Sequence, residues 1–409
     1  MPDTEQHFDI LIVGGGMVGN ALACALGQQD FRIAVIEQRE PAREWPTDEV
    51  DLRVSALSRA SQNILQNLGA WERMAQLRVS PYLEMQVWDA EGNGSIHFGC
   101  NDIWEPDLGH IVENRVTQLA LWEQLERLPN VQRFCPATIE KVDINNERPQ
   151  VYLKDGGQLS TALLVGADGR DSRIRQTAGI KTQGHDYDQH GVVATVRTEK
   201  PHLDTAWQRF MPSGPLAFLP LNDGRCSIVW TTSPERATEL LELNDSAFCD
   251  ALTEASGHVL GTIQKCGPRA AFPLRLQHAD QYVLPGLALV GDAAHAVHPL
   301  AGQGVNLGFL DAATLAEVLT EARHKGRSLG ALSTLRRYER ARRGGNMAML
   351  AAMDGFKQLF SNRDISLSLL RNLGLNLTDG LWPLKHLIMR RALGQFGELP
   401  RLARPHGSL

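Results

Sequence analysis

The sequence predicts an α/β protein in which a parallel sheet is assembled from several chain segments and an antiparallel sheet is inserted between them. Three observations support this fold class. A strand, a glycine turn and a helix open the chain, strand-like runs dominate residues 191–230, and the chain beyond residue 311 is almost wholly helical. Alternation of helical and strand patterns favours a layered α/β architecture. With 409 residues the chain is long enough for two domains with sizeable cores.

The first strand–helix–strand unit carries a glycine fingerprint. An apolar strand from Phe8 to Val13 leads into Gly14-Gly-Gly16-Met-Val-Gly19 and then into a helix. A second strand, Arg32 to Ile36, ends at Glu37, about where a Rossmann-like unit places the acid that binds a ribose. The alternative is an ordinary glycine-rich turn. Because strand, turn, helix, strand and acid occur in order, we predict a dinucleotide site here.

Two further acid–glycine motifs lie far along the chain. Asp168 follows the strand-like run Leu159 to Val165 and precedes Ser172, which can cap the next helix. Gly291-Asp292 follows an apolar run and leads through a glycine-dense loop into a helix that spans Leu307 to Leu319. A strand that delivers an acid to a helix N-terminus forms a cradle of N–H groups for an electron-rich ligand. Cradles about 270 residues apart predict a long cofactor.

Between these motifs the pattern is mainly β. Leu83 to Asp89 and Ser95 to Phe98 flank a glycine turn and predict a hairpin. Further predicted elements are strands at Val192–Arg197, Ala206–Met211, Leu216–Pro220, Arg225–Trp230 and near Gly261–Cys266, and a helix at Ser246–Ala255. We therefore expect a cofactor-binding domain from residues 1–82, 105–184 and 273–330, a substrate domain from the hairpin 83–104 and the sheet 185–272, and a C-terminal helical region, 331–409.

Composition excludes several classes of protein. The six cysteines are scattered without a Cys-x-x-Cys pair, which argues against zinc, an iron–sulfur cluster and a disulfide framework, so no metal site is predicted. No apolar run approaches the about 20 residues of a membrane-spanning helix, and no signal peptide precedes the first strand. These features, with the net charge of −6, predict a cytoplasmic protein that does not bind nucleic acid.

The C-terminal region is basic, with 16 Lys and Arg against 6 Asp and Glu from residue 321 onward. Two interpretations stay open. The region is either a helical cap packed on the cofactor-binding domain or a surface that contacts the inner membrane or partner proteins. In the second case Arg390, Arg391, Arg401 and Arg404 supply its charge.

The three motifs together resemble those of single-component FAD-dependent aromatic hydroxylases, which share the p-hydroxybenzoate-hydroxylase-like fold. The runs Asp51-Leu-Arg53-Val-Ser-Ala-Leu-Ser58 and Pro299-Leu-Ala-Gly-Gln-Gly-Val-Asn306 are similar to the ubiquinone-biosynthesis branch, and the resemblance covers nearly the whole chain. Ser80-Pro-Tyr82 and Trp207-Gln-x-Phe210 resemble the benzoquinol hydroxylases of that branch. The resemblance implies a Rossmann-like FAD-binding domain built from several segments, an inserted antiparallel substrate domain and a helical C-terminal region.

The resemblance also implies a reaction. NADPH or NADH reduces FAD, O2 adds to give a C4a-hydroperoxide, and the distal oxygen passes to a polyprenylated benzoquinol or phenol ring. The protein positions the ring and excludes water. Two alternatives stay open: an FAD hydroxylase of another ring position or of a soluble aromatic, and a non-catalytic flavoprotein subunit of a biosynthetic complex.

The residues expected to bind FAD by this resemblance are Gly14, Gly16, Gly19, Glu37, Arg39, Arg53, Arg115, Asp168, Gly291, Asp292, Gly302, Gln303, Gly304, Val305 and Asn306. Glu37 is expected on the adenosine ribose, Asp292 on the ribityl chain, and the N–H groups of 302–306 on the pyrimidine ring of the flavin. Pro299 and His295 are the candidate catalytic residues, Pro299 through its backbone beside the oxygen pocket. For His295 a structural role is the stronger interpretation.

Overall fold

The computed structural model describes residues 5–92, 94–146, 148–296, 304–361, 385–386, 389–391, 393–394 and 397–405, with backbone only at 352–354 and 356–361. The strands of these ranges are β1 (Gln6–Val13), β2 (Ile33–Ile36), β3 (Val54–Leu57), β4 (Ser80–Tyr82), β5 (Glu84–Asp89), β6 (Ser95–Gly99), β7 (Gly109–Glu113), β8 (Val131–Phe134), β9 (Ile139–Asp143), β10 (Gln150–Leu153), β11 (Gln158–Gly166), β12 (Thr182–Thr198), β13 (Thr205–Phe210), β14 (Leu216–Pro220), β15 (Cys226–Thr232), β16 (Ile263–Ala279), β17 (Val283–Leu284), β18 (Leu287–Leu289) and β19 (His295–Ala296).

The helices of the same ranges are α1 (Met17–Gly27), α2 (Arg59–Asn67), α3 (Trp71–Leu77), α4 (Asn114–Leu125), α5 (Arg173–Thr177), α6 (Pro234–Glu242), α7 (Asp245–Ser256), α8 (Gly304–His324) and α9 (Leu332–Ser361), with short 3-10 turns at Cys100–Ile103, Gly291–Ala293 and Arg401–Ala403. The predicted α/β fold class is confirmed. No helix in these ranges combines the length and the apolar character needed to cross a membrane.

A largely parallel sheet forms the centre of the first layer, in the order β17-β18-β11-β1-β2-β8, with β10 and β9 attached beside β11. Strand β2 is buried at every position, as expected for a parallel strand covered on both faces. Helix α1 is buried from Gly19 to Gly27 because it packs against the sheet as well as against α4 and α8. Its small residues, such as Ala21 and Ala25, allow that close packing.

An antiparallel sheet forms the second layer, in the order β19-β16-β12-β15-β14-β13-β5-β6. The predicted hairpin is confirmed as β5 and β6, with Glu84 opposite Gly99 and Trp88 opposite Ser95. Helices α6 and α7 cover this sheet, and Phe248 of α7 packs with Phe218 and Trp230 in its core. A third, three-stranded sheet has the order β3-β7-β4, and its strands precede and follow the hairpin in the chain.

Strands β12 and β16 are 17 residues long and pair as a ribbon. For β16 the sequence predicts only a short strand near residues 261–266. The prediction was wrong in length because Pro268 and Pro273 interrupt the strand pattern. Both prolines lie where the register shifts, between Ala194 and Val196 and between Asp186 and His190 of the partner strand. Proline is tolerated at such irregularities because the ladder is already broken there. The predicted domain boundaries near 184 and 272 therefore fall inside continuous strands.

The described end of the chain packs on the first layer. The Asn63 and Asn67 side chains of α2 donate hydrogen bonds to the carbonyl groups of Ala403 and Leu402, at 3.0 and 2.9 Å. The Arg401 N–H donates to Glu317 of α8 at 3.0 Å. For residues 399–404 these contacts support the cap interpretation. Residues 362–384 lie outside the described ranges.

Candidate functional site

The candidate cofactor-binding residues come just after parallel strands of the first sheet. The last residues of these strands lie opposite one another in register, with Val13 beside Ile36 and Gly166, and Gly166 beside Leu289. The next residues along each strand, or one beyond, are Gly14, Glu37, Ala167, Asp168 and Gly291. They therefore leave the same carboxyl edge of the sheet, where open α/β sheets bind their ligands.

The three glycines of the first motif have different surroundings. A Cβ added at Gly14 would lie 2.3 Å from the Ala167 carbonyl oxygen, and one added at Gly19 would lie 1.9 Å from the Gly14 carbonyl oxygen. Both glycines are therefore required by packing, and the first motif abuts the second. A Cβ added at Gly16 would meet no atom within 4 Å. Gly16 is the N-cap of α1 and has no side-chain cap, so the N-terminus of that helix faces open space that suits a pyrophosphate.

Glu37 lies beside this turn. One oxygen of its carboxylate accepts the Gly15 N–H at 2.7 Å, and the other accepts the N–H groups of Gln38 and Arg39 at 2.7 and 3.2 Å. The side chain is thus held at the end of β2, next to the glycine turn, as a ribose-binding acid must be. Arg39 itself is exposed and contributes its backbone to this arrangement.

Asp292 lies in the Gly291–Ala293 turn after β18. Its side chain is exposed, yet surrounding protein desolvates it and raises the pKa of its carboxyl, against the attraction of nearby His295, Arg53 and Arg170. A carboxyl that is both accessible and surrounded by protein lines a cleft. The third motif also touches the first, because added Cβ atoms at Gly291 and Gly308 would lie 3.2 and 2.6 Å from the Val18 side chain of α1.

Asp168 supports the fold beside this cleft. One oxygen accepts the Ile174 N–H at 3.1 Å, and the other has no hydrogen-bond partner among the described residues. Ser172 caps the same short helix by accepting the Arg175 N–H at 3.0 Å. The second motif therefore joins β11 to α5 and places one unsatisfied carboxylate oxygen at the site.

Arg115 contacts the loop that precedes β3, and Arg53 is the last residue of that loop. The Arg115 guanidinium donates to Glu113 at 2.8 Å and to Glu49 at 2.9 Å, so in this structure it holds the loop that precedes β3. Arg53 is exposed, with its guanidinium 5.8 Å from the centre of the Phe272 ring of β16. This contact joins the loop that precedes β3 to the second sheet.

The N-terminus of α8 is fixed by Asn306. Its side-chain amide donates to the Ala56 carbonyl at 2.8 Å, and its oxygen accepts from the Ser58 N–H at 3.0 Å and the Ser61 hydroxyl at 2.6 Å. The side chain therefore ties α8 to β3 and α2 and leaves the first-turn N–H groups of 304–306 for a ligand. The predicted residues Pro299, Gly302 and Gln303 lie outside the described residues.

His295 is buried and its Nε2 lies 2.5 Å from the Asp311 carboxylate of α8. Sequence reasoning missed Asp311, together with Arg342 and Asn346 of α9, which donate to it at 2.8 and 3.1 Å. The one available signal was an aspartate within the apolar run 307–316, where an unpaired charge would be costly. These contacts favour a positioning role for His295.

The residues present fit a long dinucleotide cofactor. Open space at a helix N-terminus, an acid at the neighbouring strand, an acid within a cleft and a second helix N-terminus lie along one sheet edge, beside a second sheet that can hold a substrate. This combination is typical of one class of protein, the oxidoreductases that bind a nucleotide cofactor beside a separate substrate-binding sheet.

Comparison with known proteins identifies the family. A family model described as FAD binding domain matches residues 7–352. The chain is 41% identical to 3-demethoxyubiquinol 3-hydroxylase of Escherichia coli K12, over 96% of this chain and 100% of that protein. It is 39% identical to ubiquinone hydroxylase UbiL of Rhodospirillum rubrum, over 98% and 93%, and 38% identical to the mitochondrial ubiquinone biosynthesis monooxygenase COQ6 of Rattus norvegicus, over 94% and 91%.

Solved structures show the same fold. PqsL of Pseudomonas aeruginosa in complex with 2-aminobenzoylacetate matches with a TM-score of 0.76 and 24% identity, over 91% of this chain and 100% of that chain. The p-nitrophenol 4-monooxygenase PnpA of Pseudomonas putida matches with a TM-score of 0.79 and 17% identity, over 96% and 100%. The chain belongs to the FAD-binding-domain family, within the ubiquinone-biosynthesis hydroxylases. It is an FAD-dependent monooxygenase, and NAD(P)H is the typical electron donor of this family.

Proposed function

We propose that this monooxygenase hydroxylates a polyprenylated benzoquinol that lacks one methoxy group, at the open ring carbon, on the route to ubiquinone. The observation that carries the proposal is the 41% identity with 3-demethoxyubiquinol 3-hydroxylase, which extends over 96% of this chain and all of that protein. The similarity therefore includes the second sheet, which holds the substrate in our interpretation, as well as the FAD cradle.

The same proposal assigns the cradle residues. Gly16 and the N-terminus of α1 bind the pyrophosphate, Glu37 binds the adenosine ribose, Asp292 binds the ribityl chain, and residues 304–306 face the pyrimidine ring. FAD, when bound by these residues, would supply the electron transfer from NADPH or NADH and the activation of O2 for hydroxylation of the ring. A helix N-terminus at the pyrimidine ring stabilises negative charge there. No side-chain nucleophile or metal is needed for this chemistry.

The substrate ring is proposed to lie between the cradle and β16. The second sheet is held over the first layer by Arg170, which donates to the Pro273 carbonyl at 3.3 Å and accepts a hydrogen bond from Gln277 at its own carbonyl at 3.5 Å. Phe272, next to Pro273, is 39% exposed although it is a large apolar residue. An aromatic surface at this place suits a quinol ring and helps to exclude water from it.

A panel of ring compounds tests the proposal. NADPH and NADH oxidation by the purified FAD-loaded protein is measured with a short-chain demethoxybenzoquinol, with a polyprenylated phenol and with p-hydroxybenzoate. We expect the demethoxybenzoquinol to accelerate oxidation most and to be converted to the hydroxylated quinol. Acceleration by p-hydroxybenzoate alone supports the soluble-aromatic alternative, and no acceleration by any compound supports the non-catalytic one.

A polyprenyl substrate resides in lipid, so we further propose that the basic C-terminal region contacts an anionic membrane surface. Arg390 and Arg391 are exposed and supply charge of the appropriate sign. Because residues 399–404 pack on α2 and α8, charge reversal at Arg390 and Arg391 is a cleaner test than truncation. Flotation with vesicles that contain anionic lipid is expected to weaken in the double Arg→Glu variant. Equal flotation of both proteins contradicts the proposal.

A further inference from the structure

The turn that carries Asp292 is held from both sides. The N–H of Gly291, before Asp292, donates to the Asp311 carboxylate at 3.2 Å. The carbonyl of Ala293, after Asp292, accepts from the Arg175 guanidinium at 2.9 Å. Both Asp311 and Arg175 are buried, so these bonds lie inside the protein while the Asp292 side chain between them faces the cleft.

Asp311 is bonded at both of its carboxylate oxygens. Besides the Gly291 N–H, one oxygen accepts from His295 at 2.5 Å. The other oxygen accepts from Arg342 at 2.8 Å and from Asn346 at 3.1 Å. A buried carboxylate is costly unless charge and hydrogen bonds compensate it, and four donors do so here. The carboxylate therefore has a fixed orientation, and so does the turn that it binds.

The donors Arg342 and Asn346 lie on α9, which is remote in sequence from all three glycine motifs. Arg342 also donates to the Leu307 carbonyl at 3.4 Å, in the first turns of α8. Helix α9 thus reaches both the Asp292 turn and the N-terminal part of α8. An ion pair that served only to dock two helices would not need to contact both elements assigned to the flavin.

We propose that Asp311 and Arg175 are positioning residues that fix the Asp292 turn for FAD, and that Arg342 and Asn346 couple the placement of α9 to the affinity for the cofactor. The inference rests on the proposed contact between Asp292 and FAD. None of these four residues is assigned contact with the reacting atoms, so the proposal concerns binding and orientation.

Titration of the apoprotein with FAD, followed by quenching of flavin fluorescence, tests the proposal without any turnover. Asp311→Asn, Arg342→Met and Arg175→Met are each expected to raise the Kd for FAD about 10-fold to 100-fold. Losses of this size are typical when a residue that orients a ligand-binding residue is removed. The matched control is Arg337→Met, which removes another α8–α9 ion pair, the 2.8 Å contact with Glu321. It is expected to leave the Kd within about twofold.

Thermal unfolding of each apoprotein, with and without FAD, separates positioning from general destabilisation. The three variants are expected to show a smaller FAD-induced rise in Tm than the wild type, whereas the control shows the full rise at any starting Tm. If Asp311→Asn does not fold, Arg175→Lys and Arg342→Lys replace it as the test of the proposal. Each retains its charge and is expected to give a Kd for FAD between that of the wild type and that of the Met variant.

Wild-type Kd values for FAD in the Asp311 and Arg175 variants overturn the proposal. An equal loss of FAD affinity in the Arg337→Met control also overturns it. The substrate proposal fails separately, when wild-type protein binds FAD normally but no quinol accelerates NAD(P)H oxidation. That second outcome leaves the Kd comparison intact.

Discussion

A methyl group added at Gly16 is expected to separate cofactor binding from folding. Gly16 has φ −75° and ψ −175°, which alanine adopts without strain, and an added Cβ meets no protein atom within 4 Å. The Gly16→Ala apoprotein should therefore lie within about 1 kcal/mol of the wild type in stability, because the restriction of the unfolded chain, worth about 0.4–1 kcal/mol, is offset by the preference of the N-cap position for glycine over alanine.

The same methyl group occupies the space proposed for the pyrophosphate. If it disrupts two hydrogen bonds from backbone N–H groups to charged phosphate oxygens, each worth about 1.5–3 kcal/mol, the loss is at least about 3 kcal/mol. The Kd for FAD is then expected to rise about 100-fold or more.

Gly19→Ala is the matched opposite case. Its Cβ would lie 1.9 Å from the Gly14 carbonyl oxygen, so α1 would have to move away from the turn. We expect this variant to lose about 1–3 kcal/mol or more of folding free energy, as overpacked sites do. Urea unfolding of the apoproteins and fluorescence titration with FAD measure both quantities. A wild-type Kd for Gly16→Ala, or wild-type stability for Gly19→Ala, would refute the reasoning.

Three further predictions concern acids and a histidine near the cradle. Glu37→Gln is expected to raise the Kd for FAD about tenfold through loss of a charged acceptor, and an unchanged Kd in the same titration argues against the ribose contact. Burial, aided by His295, lowers the pKa of His278 to about 4 in the folded protein. In the unfolded chain His278 has its ordinary pKa of about 6.5, so it binds a proton there at a higher pH than in the folded protein. The free energy of unfolding therefore falls as pH falls from about 6.5 towards 4, by about 2 kcal/mol between pH 7 and pH 5. His278→Gln should flatten that slope in urea unfolding. Although burial opposes it, His295 and Arg342 lower the pKa of Asp311 to about 2. The ionised Asp311 carboxylate therefore contributes about 2 kcal/mol to the free energy of unfolding above about pH 4, and this contribution is lost as pH falls towards 2. Acid titration of Asp311→Asn that follows the wild-type curve contradicts this assignment.

Local pattern was sufficient to predict the glycine turns and the strands and helices beside them, because each is encoded in a short segment. Gly14 and Gly19 must be glycine because an added Cβ would clash with Ala167 or with Gly14 itself. The apolar run Phe8 to Val13 predicts the strand that precedes them. The parallel strands then bring Glu37 and Gly291 to the same edge, as βαβ topology dictates.

The buried network behind the cradle was not predicted, because its members come from distant segments. Asp311, Arg342 and Asn346 lie on two helices whose relative placement depends on tertiary packing. Arg342 and Asn346 look like ordinary polar positions of a helix, and only Asp311 gives a signal, as an acid within an apolar run. The length of the β12–β16 ribbon was missed for a related reason, since cross-strand pairing overrides the local effect of Pro268 and Pro273.

We propose that this chain transfers one atom of O2 to a benzoquinol ring. The most direct measurement is mass spectrometry of the product after the FAD-loaded protein, NADPH or NADH and a short-chain demethoxybenzoquinol react under 18O2. We expect one 18O atom in a hydroxylated quinol, with NAD(P)H oxidised in proportion to the product. A colourless protein that binds no FAD, or NAD(P)H oxidation without labelled product, would contradict it.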